Sequence, residues 1–127
     1  MSNQDFSGEW KSTHSYPTKD DSAEEVSEYA VTAYQTGHDI VFQSQHTKDG
    51  SYMLIRLSID GDIATGTWYE HTSPGGDFSS TMYSGAGQLI IDKDKTRMEG
   101  LWAGAGMDHK AGKPRVYTGR WELNKVK

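Results

Sequence analysis

Cysteine is absent from this chain of 127 residues, and with it go disulfide scaffolds, cysteine-ligated zinc, thiol nucleophiles and lipid anchors carried on sulfur. Long apolar runs are missing too. The longest unbroken aliphatic stretch is Leu89-Ile90-Ile91, and the opening MSNQDFSGEW has neither a basic start nor an apolar centre. No membrane span or secretory signal is therefore expected, and cytoplasm is the default compartment. Basic charge is in short supply: 13 Lys+Arg stand against 18 Asp+Glu, a formal net charge of -5. A nucleic-acid duplex is not an expected partner, because neutralising its phosphates needs a basic face. The G-x-S-x-G, G-x-x-x-x-G-K-[ST] and H-E-x-x-H signatures are also absent. Gly104-Ala105-Gly106 opens no plausible helix, so it is not a phosphate-cradling loop.

What the chain does contain is glycine, tyrosine, threonine and tryptophan, including 14 Gly, 7 Tyr and 4 Trp. That balance, with no long Leu/Ala/Glu/Lys runs, reads as all-β. Alternation is clearest at residues 52–59, where Met53, Ile55, Leu57 and Ile59 share one face and Tyr52, Arg56 and Ser58 the other. Turn residues recur at Gln35-Thr36-Gly37-His38, Lys48-Asp49-Gly50, Asp60-Gly61-Asp62, Ser73-Pro74-Gly75-Gly76 and Asp92-Lys93-Asp94-Lys95, mostly at hairpin length. The pattern predicts eight strands, near 6–14, 27–35, 39–47, 51–59, 63–71, 79–91, 97–105 and 115–124. No room is left for crossover helices, so consecutive strands should pair antiparallel. An eight-stranded antiparallel up-and-down β-barrel, one domain over 1–127, satisfies every edge and can enclose one small ligand. One segment reads two ways. Ser22-Ala23-Glu24-Glu25 matches a capping box with Val26, Tyr29, Ala30 and Ala33 at helical spacing, whereas Val31, Thr32 and Tyr34 favour a strand.

All four tryptophans occupy the same tripeptide: Gly8-Glu9-Trp10, Gly66-Thr67-Trp68, Gly100-Leu101-Trp102 and Gly119-Arg120-Trp121. In a strand, residues i and i+2 share a face, so each motif sets a vacancy beside an indole, permitting sharp coiling and room for a neighbouring ring. Most of these rings should be packing devices, with some lining a cavity.

In an up-and-down barrel, odd strands end where even strands begin. One end therefore collects His14, His46, Glu70, Gly106, Tyr52, Phe78 and Tyr117. The other collects Trp10, Ile59, Ile63, Leu89, Met98, Trp121 and Leu123, a set suited to plugging it. Period two from the apolar positions turns Ser12, His14, Ser44, His46, Glu70 and Tyr117 inward, so polar groups converge on one mouth. Imidazole and carboxylate are the usual ligands and proton carriers near neutral pH. His14, His46 and Glu70, which could serve so, lie on three separate strands with no short-range spacing, however. Ligand hydrogen bonding is expected ahead of catalysis, and no metal or cofactor is expected. The loop from His109 to Arg115 brings Lys110, Lys113 and Arg115 to the mouth, where an anionic ligand group would be drawn in. The plainer reading is a solvated basic loop offset by Asp20, Asp21, Asp77 and Asp108. Arg120 is expected on the outer face or stacked on an indole such as Trp10.

Two resemblances follow from these residues. Phe6-Ser7-Gly8-Glu9-Trp10-Lys11 resembles the F-x-G-x-W-K opening of the fatty-acid-binding and lipocalin (calycin) superfamily over one strand. From Gly61 to Leu123, GDIATGTWYEHTSPGG, Tyr83-Ser84-Gly85, Gln88-Leu89, RMEGLWAGAG and GRWEL resemble a C-terminal domain found behind helix-turn-helix modules of the xenobiotic-response-element type in actinobacterial regulators. That resemblance implies a sensor-like domain. It does not carry DNA binding over, since the barrel uses the whole chain. A looser similarity, through the G-x-W and G-R strand endings, is to small barrels of bacterial antiphage effectors that bind cyclic nucleotides.

The leading expectation is a small-molecule-binding barrel of sensor or carrier type. Its pocket would be walled by Phe42, Trp68, Tyr83 and Trp102 and gated by His14, His46, Glu70 and Tyr117, with Lys113 and Arg115 attracting an anionic ligand. The alternatives are a cyclase, isomerase or hydratase-type enzyme using Glu70 with His14 or His46, and a filled, ligand-free protein-interaction module. Expected partners are a small molecule and, at most, a second copy in a homodimer.

Overall fold

The structure is a computed structural model that describes residues 5–17, 23–45, 50–71, 82–108 and 110–126. Among these lie β1 (Gly8–Pro17), β2 (Glu24–Thr36), β3 (Asp39–Ser44), β4 (Tyr52–Asp60), β5 (Ile63–His71), β6 (Met82–Ile91), β7 (Arg97–Asp108) and β8 (Lys113–Lys125). Each strand pairs antiparallel with the next, and β1 pairs with β8 to close the barrel. The eight-stranded up-and-down barrel expected from the turn spacing is the fold. Two of its hairpins turn in two residues, with Gly37 and Gly61 taking the left-handed conformation (φ 61 and 62) that side-chain-bearing residues avoid. No helix among the described residues is long and apolar enough to cross a membrane.

The ambiguous segment is strand. Tyr29, Val31 and Ala33 are buried at period two, while Val26 and Ala30, which the helical spacing would have put beside Tyr29 and Ala33, face outward. The cause is tertiary: β1 supplies ladder partners from Glu24 to Ala33 and β3 from Val31 to Thr36. A helix here would have left both neighbours with unpaired edges.

All four indoles point inward, and Trp10 and Trp121 are only 1% exposed. The lower half of the barrel is packed solid by these two with Phe6, Ile40, Phe42, Ile55, Leu89, Met98 and Leu123. Phe6 caps this end, its carbonyl accepting from Trp10 Nε1 at 2.8 Å and its N–H donating to Gln35 Oε1 at 2.7 Å. One member of the expected plug is misplaced. Ile63 is 40% exposed, because Ala64 takes the inward position and the alternation turns its neighbour out.

Among the glycines of the repeat, Gly119 seats a ring of another strand, whereas Gly66 and Gly100 abut the backbone carbonyls of Arg56 and Gln88; two glycines outside the repeat, Gly87 and Gly104, seat further rings. A Cβ on Gly87 would lie 2.5 Å from the Trp121 ring, one on Gly104 2.6 Å from Trp68, and one on Gly119 2.6 Å from Trp102. Trp68, Trp102 and Trp121 thus each lie against bare backbone of another strand, which helps four large rings fit inside a barrel of only eight strands.

Candidate functional site

Above the packed half, the backbone ladders part. Among the described residues, the β2–β3 ladder runs up to Val31↔Ser44 and the β1–β8 ladder up to His14↔Trp121. The β1–β2 ladder continues to Pro17↔Glu24 and the β7–β8 ladder to Asp108↔Lys113. Two long hairpins therefore flank a mouth and are not laddered to each other there. Side chains bridge this seam: Ser15 Oγ accepts from Arg120 N–H at 3.0 Å, the Ser15 carbonyl accepts from Trp102 Nε1 at 2.8 Å, and Arg120 Nη2 lies 3.7 Å from Glu24 Oε1.

Trp68 and Trp102 form the floor of the mouth, edge to face with ring centroids 5.5 Å apart. Over them sit His14, Glu70 and Tyr29, contributed by β1, β5 and β2. Nε2 of His14 is 3.6 Å from Glu70 Oε1, and Tyr29 donates its hydroxyl to Glu70 Oε2 at 2.7 Å. The imidazole meets Trp102 edge to face at 6.3 Å. Burial pushes the Glu70 carboxyl up. The hydrogen bond and charge of His14 and the hydroxyl of Tyr29 outweigh it and hold the carboxyl below its ordinary value. Glu70 is thus an ionised acceptor at neutral pH. Its carboxylate orients the Nε2 side of His14, leaving Nδ1, which is buried and has no hydrogen-bond partner among the described residues. A buried ring nitrogen without a partner costs stability unless a ligand or water satisfies it. Such an arrangement can bind a hydrogen-bonding group or hold a proton at Nδ1.

The expected site residues divide into four groups. His14 and Glu70 come together as described, with Trp68 and Trp102 beneath them and the half-buried Tyr83 and Tyr117 packed against the core nearby. Phe42 instead belongs to the packed lower half, fully buried with its ring edge-on to Trp10 at 5.7 Å. Lys113 is exposed. Arg115 is already engaged, 3.4 Å from Asp108 and with its guanidinium 4.4 Å over the Tyr117 ring. His46, with Phe78 and His109, lies outside the described residues. Ser12 and Ser44 do point inward but serve the barrel: Ser12 Oγ accepts from Trp121 Nε1 at 3.1 Å and Ser44 Oγ from Met53 N–H at 2.6 Å. Arg120 is on the outer face, paired with Glu24 and not with an indole.

Tyr29 and Ser15 escaped the sequence reading. Tyr29 was legible in principle, since alternation from Val31 and Ala33 turns it inward. Ser15 carries no such signal, because it is buried directly after the inward His14, against the period. Among the described residues there is no cluster of three or more His, Asp or Glu able to hold a metal ion. No protein-family model, no curated protein and no solved structure matches this chain.

Proposed function

We propose that the chain is a small-molecule-binding barrel of sensor or carrier type that admits its ligand at the end bearing His14, Tyr29 and Glu70. The observation that carries this reading is the buried polar cluster over an indole floor, in which Glu70 is doubly held while Nδ1 of His14 has no partner among the described residues. A barrel built only for stability gains nothing from a carboxylate and an imidazole at that depth, since an apolar set of the same volume would avoid their desolvation. Tyr83 and Tyr117 supply apolar faces beside the cluster, and Lys113 and Arg115 supply steering charge for an anionic ligand group. The resemblance of residues 61–123 to a domain found behind helix-turn-helix modules implies the same sensor role.

Contact of Glu70 with His14 favours one second reading, an enzyme in which this pair is general acid and base. Native mass spectrometry of protein purified from its own host tests the first. A retained small molecule, lost in E70Q and Y29F proteins that remain folded, is expected. Ligand-free wild type, or a ligand retained equally by both variants, would refute the site. Isothermal titration with the identified molecule then separates the readings: a binder changes affinity in E70Q by about 1–3 kcal/mol, whereas an enzyme still binds and loses turnover.

A further inference from the structure

The sequence contains four arginines, and three of them are occupied. Arg97 lies 3.0 Å from Glu99 and 2.6 Å from Glu122, Arg115 lies 3.4 Å from Asp108, and Arg120 lies 3.7 Å from Glu24. Arg56 has no carboxylate within ion-pair distance among the described residues. It also lines a pocket. On the outer wall, Arg56 and Leu54 of β4, Thr67 and Tyr69 of β5 and Ser84 of β6 border a half-open pocket of about 320 Å³. Trp68 and Gly85 also line it, and it is on the opposite face of the sheet from the His14 and Glu70 cluster, because outward and inward residues alternate along each strand: Arg56 is exposed between the buried Ile55 and Leu57.

The register explains why these groups meet. Arg56 is directly opposite Thr67, Leu54 opposite Tyr69, and Tyr69 opposite Ser84. Thr67 and Ser84 are small and Gly85 brings only backbone to the edge, which leaves the space open. The chemistry of the rim is one-sided. No carboxylate lines it, its cation is a planar fork suited to an oxyanion, and its remaining polar side chains are hydroxyls and the Trp68 indole, whose N–H is already donated to the Ala86 carbonyl at 3.2 Å. Tyr69 now donates its hydroxyl to the thioether of Met82 at 3.2 Å, a weak acceptor that an oxyanion would outcompete. Burial, then the charge and hydrogen bond of Tyr52, push the Tyr69 phenol above its ordinary value, so it stays a donor at neutral pH. Leu54 and the Tyr69 ring supply apolar surface beside the cation.

We infer that this outer-wall pocket is a second binding site, taking a small molecule in which a carboxylate or phosphate group is joined to a flat apolar body. The oxyanion sits on the Arg56 guanidinium, with Thr67, Ser84 and Tyr69 as further donors, and the body lies on Leu54 and the Tyr69 ring. The net negative charge of the chain does not prevent this, because at physiological ionic strength a charge more than about 8 Å away is largely screened.

Amide spectra of the isotopically labelled full chain, titrated separately with benzoate and phenyl phosphate, test the site, with inorganic phosphate and phenol as partial probes. Saturable shifts are expected around residues 54–56, 67–69 and 84–85 with at least one of the two anions, whichever is preferred naming the oxyanion. Both partial probes should bind more weakly. R56Q should lower the affinity about tenfold or more, as loss of a charge-assisted hydrogen bond does, and added salt should weaken binding to wild type. E70Q should bind as wild type does, so failure of the mouth reading leaves this result intact. Absence of saturable shifts with both anions, shifts confined to the mouth, or equal affinities in wild type and R56Q would overturn the inference.

Discussion

Replacing Gly87 by Ala puts the packing of the barrel to a test of sign. In the middle of a strand, alanine is ordinarily better than glycine by about 0.5–1 kcal/mol, because less backbone entropy is lost on folding. At Gly87 the added methyl would stand 2.5 and 2.8 Å from two atoms of the Trp121 ring and 3.0 Å from the Leu101 carbonyl oxygen. Trp121 has nowhere to retreat: it is 1% exposed and its indole N–H is held by Ser12. Overpacking of this kind costs about 1–3 kcal/mol, so a net destabilisation of about 1–2 kcal/mol is expected once the entropy gain is subtracted. Gly106→Ala is the internal control. Its methyl meets only Tyr117 ring atoms at 3.4 Å, an ordinary contact with a half-buried side chain, so it should be neutral or stabilising by a few tenths of a kcal/mol. Urea midpoints at unchanged slope measure both. Repeating Gly87→Ala in a Trp121→Phe background closes a double-mutant cycle, and there the alanine should cost at least about 1 kcal/mol less. A stabilising Gly87→Ala, or the same cost in both backgrounds, would refute the claim that these glycines are seats for indoles.

Two further outcomes follow from the same geometry. Trp10→Ala and Trp121→Ala should each lower stability by about 3–5 kcal/mol, as large-to-small core changes do, and losses below about 1 kcal/mol in urea would show that the rings are not core plugs. Glu70 is held below its ordinary value of 4.5, the value its carboxyl should have when unfolded. Its contribution is therefore complete above that pH, and it is lost as pH falls through the lower folded value. The stability difference between wild type and Glu70→Gln should narrow on acidification through that window, and a difference unchanged from about pH 6 to about pH 3 would show that His14 and Tyr29 do not hold the carboxylate.

Much of the mouth was legible because strand polarity and period two are local rules. They turn His14, Glu70 and Tyr117 inward and bring them to one end once eight strands are counted. The rules fail where the period breaks or where depth matters. Ser15 is buried out of phase because β1 and β8 part at His14 and the Ser15 side chain and carbonyl take over the seam. Phe42 has the right face but the wrong height: alternation says which side of the sheet a ring is on, and only the register of neighbouring strands says how far up the barrel it stands.

The sequence by itself determined the all-β class, the number of strands, the antiparallel order and the inward face of every tryptophan, since each depends on spacing along a single chain. Tertiary structure alone decided that residues 24–36 extend as strand, because the choice lay with ladder partners on β1 and β3. It also decided which glycine seats which indole, that Tyr29 completes the contact between His14 and Glu70, and that Arg56 is left without a carboxylate among the described residues. These are matters of distance between strands. Distance between strands depends on stagger and coiling around the closed barrel, which no residue spacing within one strand records.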